Sequence, residues 1–152
     1  MNNEELKSEL TALLPTAAFE EADGFINMQV EAADWLKLAG ELKSNPKLHF
    51  DYLFCLTCID WKTHLMMVYH LSSTIFRHNF VVKIKLSSDC PEVETVSAIW
   101  RTAEFHEREV YEMFGVNFLH HPDLRLLILP DGWEGKNPLR KNFEDPINMI
   151  KL

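Results

Sequence analysis

Apolar residues near the start of the chain recur every three to four positions, at Leu6, Leu10 and Leu13/Leu14. That spacing predicts a helix over 4–14, closed by Pro15. The period then changes to two. Over 24–30 (GFINMQV), Phe25, Asn27 and Gln29 alternate with Ile26, Met28 and Val30, which predicts a strand. A second helix is predicted over 32–43, with Leu36, Ala39 and Leu42 on one face and Asp34 or Ala32 near its start. Ser44, Asn45 and Pro46 stop it.

Three β-like runs follow: FCLTCIDW (54–61), LMMVYHL (65–71) and HNFVVKIKL (78–86). The polar links between them are short, which favours antiparallel neighbours. Residues 92–115 read as helical in two pieces, with Gly115 as the residue just past the end. The expected fold is α+β in two layers: a small, mainly antiparallel sheet with helices on one face.

The pattern breaks down after residue 118. Residues 119–152 hold four of the seven prolines, Pro122, Pro130, Pro138 and Pro146, which block a long helix or a central strand. The same segment carries Leu124, Leu126, Leu127, Ile128, Leu129, Trp133, Leu139, Phe143, Ile147, Met149 and Ile150. A disordered tail is normally poor in such residues. The division expected is an α+β domain over 1–118 and an extended docking tail over 119–152, part of it covered by another protein.

Charge sharpens that division. The net charge is −8; residues 119–152 hold 5 basic and 5 acidic residues, so residues 1–118 carry the whole excess. No basic cluster suits nucleic acid, and an anionic membrane surface would repel the chain. No secretory leader and no membrane-spanning run are expected. Three cysteines argue against a disulfide framework and for a reducing compartment.

Candidate chemistry is sparse. Cys55 and Cys58 have C-x-x-C spacing, but positions i and i+3 of a strand face opposite ways, which favours a structural reading over thiol redox chemistry. In HEREVYE (106–112), the H-E-x-x-H zinc pattern fails at Val110. A metal enzyme would have to assemble His106, Glu107, His120, His121 and Asp123 by folding the tail back. On a helical wheel, Ile99, Ala103, His106, Val110, Met113 and Phe114 share the core face. Glu104, Arg108 and Glu112 fall opposite, as a ladder of exposed ion pairs. Glu107 borders the apolar stripe and needs a donor. Phe105 sits among the outer charges, where a monomer gains nothing from it. Asp123 is expected to brace the turn at Pro122, and Arg125 to pair with Asp123 or Glu107. Arg140 suits a bidentate carboxylate contact across an interface. No glycine-rich phosphate loop and no cysteine set for an iron–sulfur cluster occurs.

Glu-Arg-Glu at 107–109, VYEMFGVNF at 110–118, HPDLR at 121–125, LPDGW at 129–133 and PLRK at 138–141 follow one another in an order and spacing that resemble a known family. It is the 30-kDa subunit of respiratory complex I, the C-type subunit of bacterial NADH–quinone oxidoreductase. IDW (59–61), VYHL (68–71) and VSAIWRTAEF (96–105) also look like it, so the resemblance covers roughly residues 50–143. Phe105 stands where that family usually has Trp, and His120 where it has Gly. Lys136–Asn137 adds a residue before PLRK, and Asn142 replaces the common Asp.

The resemblance implies a non-catalytic peripheral-arm subunit with no cofactor of its own. NADH, FMN, iron–sulfur clusters and quinone would lie on other subunits of the complex. It implies packing against the 49-kDa-like subunit and iron–sulfur subunits, on the cytoplasmic face of the inner membrane. Electron transfer from NADH to quinone would drive ion translocation there. The implied docking residues are Phe105, Glu107, Arg108, Glu109 and Phe114 on the helix. In the tail they are His121, Pro122, Asp123, Arg125, Trp133, Pro138, Leu139, Arg140 and Lys141. An equivalent subunit of a membrane-bound hydrogenase or a formate-oxidising complex is the alternative within the same fold.

Overall fold

The computed structural model describes residues 3–15, 17–22, 24–145 and 147. The order is α1 (Asn3–Leu13), β1 (Ala18–Ala22), β2 (Phe25–Val30), α2 (Ala32–Ser44), β3 (Tyr52–Asp60), β4 (His64–Ser72), β5 (Asn79–Ser87), β6 (Glu92–Glu94), α3 (Ala103–Phe114) and β7 (Asn117–Leu119). Five strands make one sheet in the order β1-β2-β5-β4-β3. The meander β3-β4-β5 is antiparallel, as its short links require, and β1 pairs antiparallel with β2. The β2–β5 pair is parallel, Ile26 opposite Phe80 and Val30 opposite Ile84. A parallel pair needs a long crossover, and α2 with the β3–β4 hairpin supplies it.

Alternation along the strands sends Met28, Leu53, Leu56, Leu65, Met67, Tyr69, Phe80, Val82 and Ile84 into one core with Leu6 and Leu10 of α1 and Val110 and Phe114 of α3. The Trp35 ring lies 4.5 Å from Tyr69 and 6.2 Å from Trp100. Trp100 Nε1 donates to Phe50 O at 2.8 Å, so the indole is buried with its polar atom satisfied.

Three expectations need correction. The core face of α2 is Trp35, Leu38, Ala39 and Leu42, while Leu36 is exposed, because the stripe is set by the largest ring one residue earlier. The strand β1 has no counterpart in the sequence pattern; AFEEA has one large apolar residue and pairs only at the sheet edge. The first half of the supposed helix over 92–115 is instead β6, running parallel to β7, followed by a turn in which Ile99 N and Trp100 N both reach Val96 O. A three-residue strand is too short to show a period of two. Thr102, just before α3, donates its hydroxyl to Leu53 O rather than capping the helix, tying the helix start to β3. Gly115 ends α3 at φ +75°, as expected.

Candidate functional site

The segment after β7 has few backbone partners of its own, and every buried N–H and C=O needs one. Side chains of α3 and β3 supply them. Glu112, 1% exposed, accepts from three successive backbone N–H groups. Leu127 N reaches Oε2 at 2.9 Å, Ile128 N reaches Oε1 at 2.9 Å, and Leu129 N reaches Oε2 at 3.1 Å. One turn earlier Arg108 donates Nε to Arg125 O at 3.1 Å and Nη2 to Leu126 O at 2.6 Å. An acid and a base spaced i, i+4 thus grip the donors and the acceptors of one crossing strand of chain.

The expected exposed ladder of Glu104, Arg108 and Glu112 is therefore corrected. Arg108 and Glu112 are buried, because residues 125–129 cross that side of the helix. The grip fixes the backbone and leaves Leu127 and Ile128 exposed, while Leu126 and Leu129 are half-buried. Ile128 is 61% exposed, and Phe105, 56% exposed, lies with its ring centroid 5.8 Å from the Arg108 guanidinium.

A second set of bonds holds residues 137–141. Arg140 donates Nε to Phe114 O at 2.6 Å and Nη1 to Ser88 O at 2.9 Å. Leu139 N donates to Met113 O, and Lys141 N to Asp60 Oδ2. The Lys141 and Lys62 backbone N–H groups, helped by the Arg140 and Lys141 charges, hold the Asp60 carboxyl below the usual carboxylate range. The sequence suggests that Arg140 reaches for a partner's carboxylate; two of its donors are instead spent within the chain. Gly115 lets this loop approach: a Cβ there would lie 2.7 Å from Asn137 Nδ2.

The half-buried border position expected for Glu107 is in fact fully buried. The Thr95 hydroxyl and Val96 N, the latter at 2.9 Å, bond its carboxyl. Burial raises that carboxyl to about 7, and those two bonds offset only part of the rise. His121 packs beside it, Nε2 at 3.7 Å from Glu107 Oε2. Its Nδ1 accepts from Asp123 N and its Nε2 donates to Glu104 O, which fixes the tautomer and braces the turn at Pro122. Arg125 pairs with Asp123 at 2.9 Å, one of its two expected partners.

The remaining residues divide. Phe114 is buried in the core and Glu109 is exposed. Trp133 packs against Phe143 with the rings tilted by 38° and takes the Lys136 ammonium at 4.4 Å from its ring centroid. Pro138 is half-buried; Leu139 and Lys141 are exposed, with the Lys141 ammonium 5.9 Å from the Trp61 ring. Met149 and Ile150 lie outside the described residues. The imagined metal set assembles only in part: Glu107 and His121 meet at 3.7 Å, but His120 faces Glu94, and the free lone pair of His121 is spent on Asp123 N. Cys58 faces the core and Cys55 the other side of β3; burial pushes Cys58 up to about 12 and also raises Cys55, which suppresses thiolate chemistry. Sequence reasoning missed Glu112, Asp60 and Thr95 as anchors. The one signal for them was a proline-broken segment whose backbone groups had no partner in any predicted element.

A family model, that of the respiratory-chain NADH dehydrogenase 30-kDa subunit, matches residues 28–146. The chain belongs to this family. It is 43% identical over 113 residues to the fused C/D protein of the NADH-quinone oxidoreductase of Phocaeicola vulgatus, covering 73% of this chain and 22% of that protein. It is 37% identical to the C-type subunit of the Moorella thermoacetica NADH-quinone oxidoreductase, covering 89% of this chain and 90% of that protein. It spans about half, 49%, of the corresponding Chloroherpeton thalassium subunit. Among solved structures, this 30-kDa family member resembles a chain of the membrane-bound sulfane sulfur reductase, an archaeal respiratory membrane complex. The TM-score is 0.81 at 26% identity, over 93% of this chain and 85% of that one. It also resembles the trypsin-resistant fragment of Nqo5, with TM-score 0.71 at 26% identity, over 82% of this chain and all of that one.

Two outcomes follow from this geometry. Because the Glu107 carboxyl is raised from 4.5 to about 7, the folded chain keeps a proton that the unfolded chain releases. Its contribution to stability falls as pH rises from about 4.5 to 7, then levels; the span is on the order of 3 kcal/mol. Denaturant unfolding of Glu107→Gln should lack that part of the pH slope. Gly115→Ala should lower stability by roughly 1–2 kcal/mol from the left-handed φ alone. It should also speed amide exchange at Leu139, and Asn137→Ala should restore part of that second effect.

Proposed function

We propose that this chain is a non-catalytic peripheral-arm subunit of an NADH:quinone oxidoreductase, a scaffold beside the electron path that leads to quinone and drives ion translocation. NADH, FMN, the iron–sulfur clusters and quinone are held by other subunits. Its partners are the 49-kDa-like subunit and the iron–sulfur subunits, and it meets the membrane only through the complex, on the cytoplasmic side. Among the described residues no helix is long and apolar enough to cross a membrane, in keeping with that place.

The observation that carries the reading is the surface made by residues 125–129 beside Phe105. Its N–H groups at 127–129 and carbonyls at 125–126 are satisfied within the chain while Leu127 and Ile128 are exposed, a combination suited to a permanent partner. The fused C/D relative supports the 49-kDa-like subunit as that partner, since fusion keeps two such chains together. A second reading, the equivalent subunit of a respiratory membrane complex with another redox partner, is favoured by the likeness to the sulfane sulfur reductase chain.

Phe105→Asp and Ile128→Asp change exposed positions and should leave the isolated chain folded. In the complex each places an unpaired charge in a buried apolar contact, a penalty of several kcal/mol. Both variants should fail to bring down the 49-kDa-like subunit from native membranes, whereas Glu31→Lys should co-purify with it normally. Wild-type yields of that partner with both variants would overturn the docking surface. Co-purification of flavin- and NADH-binding subunits with the wild type favours the first reading, and their replacement by another redox module favours the second.

A further inference from the structure

An open cleft of about 440 Å³ lies between the β3–β4 turn, the exit of β5 and the second tail anchor. Asp60, Lys62, Ser88, Asp89, Arg140 and Lys141 line it. In a chain of net charge −8, the three cations converging here are unusual for what they lack. Among the described residues none of them enters an ion pair within 4 Å. Arg140 commits Nε and Nη1 to carbonyls and leaves Nη2 over. Asp60 shares the lining and feels the Arg140 and Lys141 charges, but its oxygens are turned to backbone N–H groups, Lys62 N at 2.6 Å and Lys141 N at 2.8 Å.

A further group points the same way. The Ser88 hydroxyl oxygen is buried and has no hydrogen-bond partner among the described residues. Buried hydroxyls are rarely left so, and this one lies on the lining of a cleft that three cations share. Its own carbonyl is the acceptor of Arg140 Nη1, so hydroxyl and guanidinium are held in fixed relation.

We propose that this cleft binds a phosphoryl oxyanion, held by Lys62, Arg140 and Lys141, with the Ser88 hydroxyl, buried in the cleft wall, turning outward to donate to it. Donors reach the space from three separate segments, which suits a tetrahedral group with several oxygens better than a planar carboxylate with two. Asp60 and Asp89 on the same lining oppose any anion, and they cost a compact ion held by the three cations less than an extended polyanion or an acidic peptide that must run past them. Trp61, 54% exposed, has its ring centroid 5.9 Å from the Lys141 ammonium, so a base attached to the phosphate would have an aromatic face in reach outside the cleft lining.

The test is titration of the full chain with inorganic phosphate and, separately, with AMP, ionic strength being held constant with NaCl. Backbone amide shifts and Trp fluorescence are read. The proposal expects saturable shifts at Lys62, Ser88 and Lys141, with binding at least about tenfold weaker in Lys62→Glu, as losing a charge-assisted bond implies. Ser88→Ala should weaken binding less while leaving the cations in place, and Lys37→Glu, on α2 away from the cleft, should bind as wild type. Tighter binding of AMP with a change in Trp fluorescence identifies a nucleotide as the source; equal binding identifies free phosphate. Shifts that NaCl alone reproduces, undiminished binding in folded Lys62→Glu and Ser88→Ala, or binding of an acidic peptide in place of phosphate would each overturn it.

Discussion

The tail depends on one carboxylate. Glu112 takes three consecutive backbone N–H groups, from Leu127 to Leu129, at a place where no strand or helix provides acceptors. A segment interrupted by Pro122, Pro130 and Pro138 cannot satisfy its own backbone through regular structure. Apolar contact alone would bury those donors without partners, at about 1–3 kcal/mol each. A buried acid removes that penalty, and the adjacent Arg108 does the same for the carbonyls of Arg125 and Leu126.

The same logic recurs at the far end of the segment, where Asp60 receives Lys141 N and Arg140 reaches Phe114 O and Ser88 O. Charged side chains thus stand in for a sheet partner. Their geometry fixes which way the tail's side chains face. With the backbone bonded inward, Leu127, Ile128 and Leu139 are presented to the outside along with Phe105. A surface ordered before any partner arrives loses less entropy on docking.

Much of the globular part is legible in the sequence. Alternation locates four of the five strands of the main sheet, and period 3.6 locates all three helices, although it extends the third too far back, before Ala103. What fails does so for physical reasons. AFEEA has too little apolar surface to announce an edge strand, and Glu92–Glu94 is too short for any period. A helical wheel assigns polar residues to solvent and so makes Arg108 and Glu112 an exposed ladder; the wheel cannot know that an irregular segment will cross that face. The large apolar residues of the tail suggest that it leans on a neighbour. In the structure its backbone leans on its own domain and only some side chains remain for a neighbour. Glu107 gives a partial signal, its place at the stripe border correctly requiring a donor, which Thr95 and Val96 provide.

Amide hydrogen exchange of the isolated chain, resolved at Leu127, Ile128 and Leu129, tests the central claim most directly. The account predicts that these three amides are strongly protected with no partner present and that Glu112→Gln releases all three together while Met67 and Val82 in the central strands stay protected. Exchange of the three at unstructured-chain rates in the wild-type protein would contradict it, for the tail would then be ordered by its partners and not by its own helix.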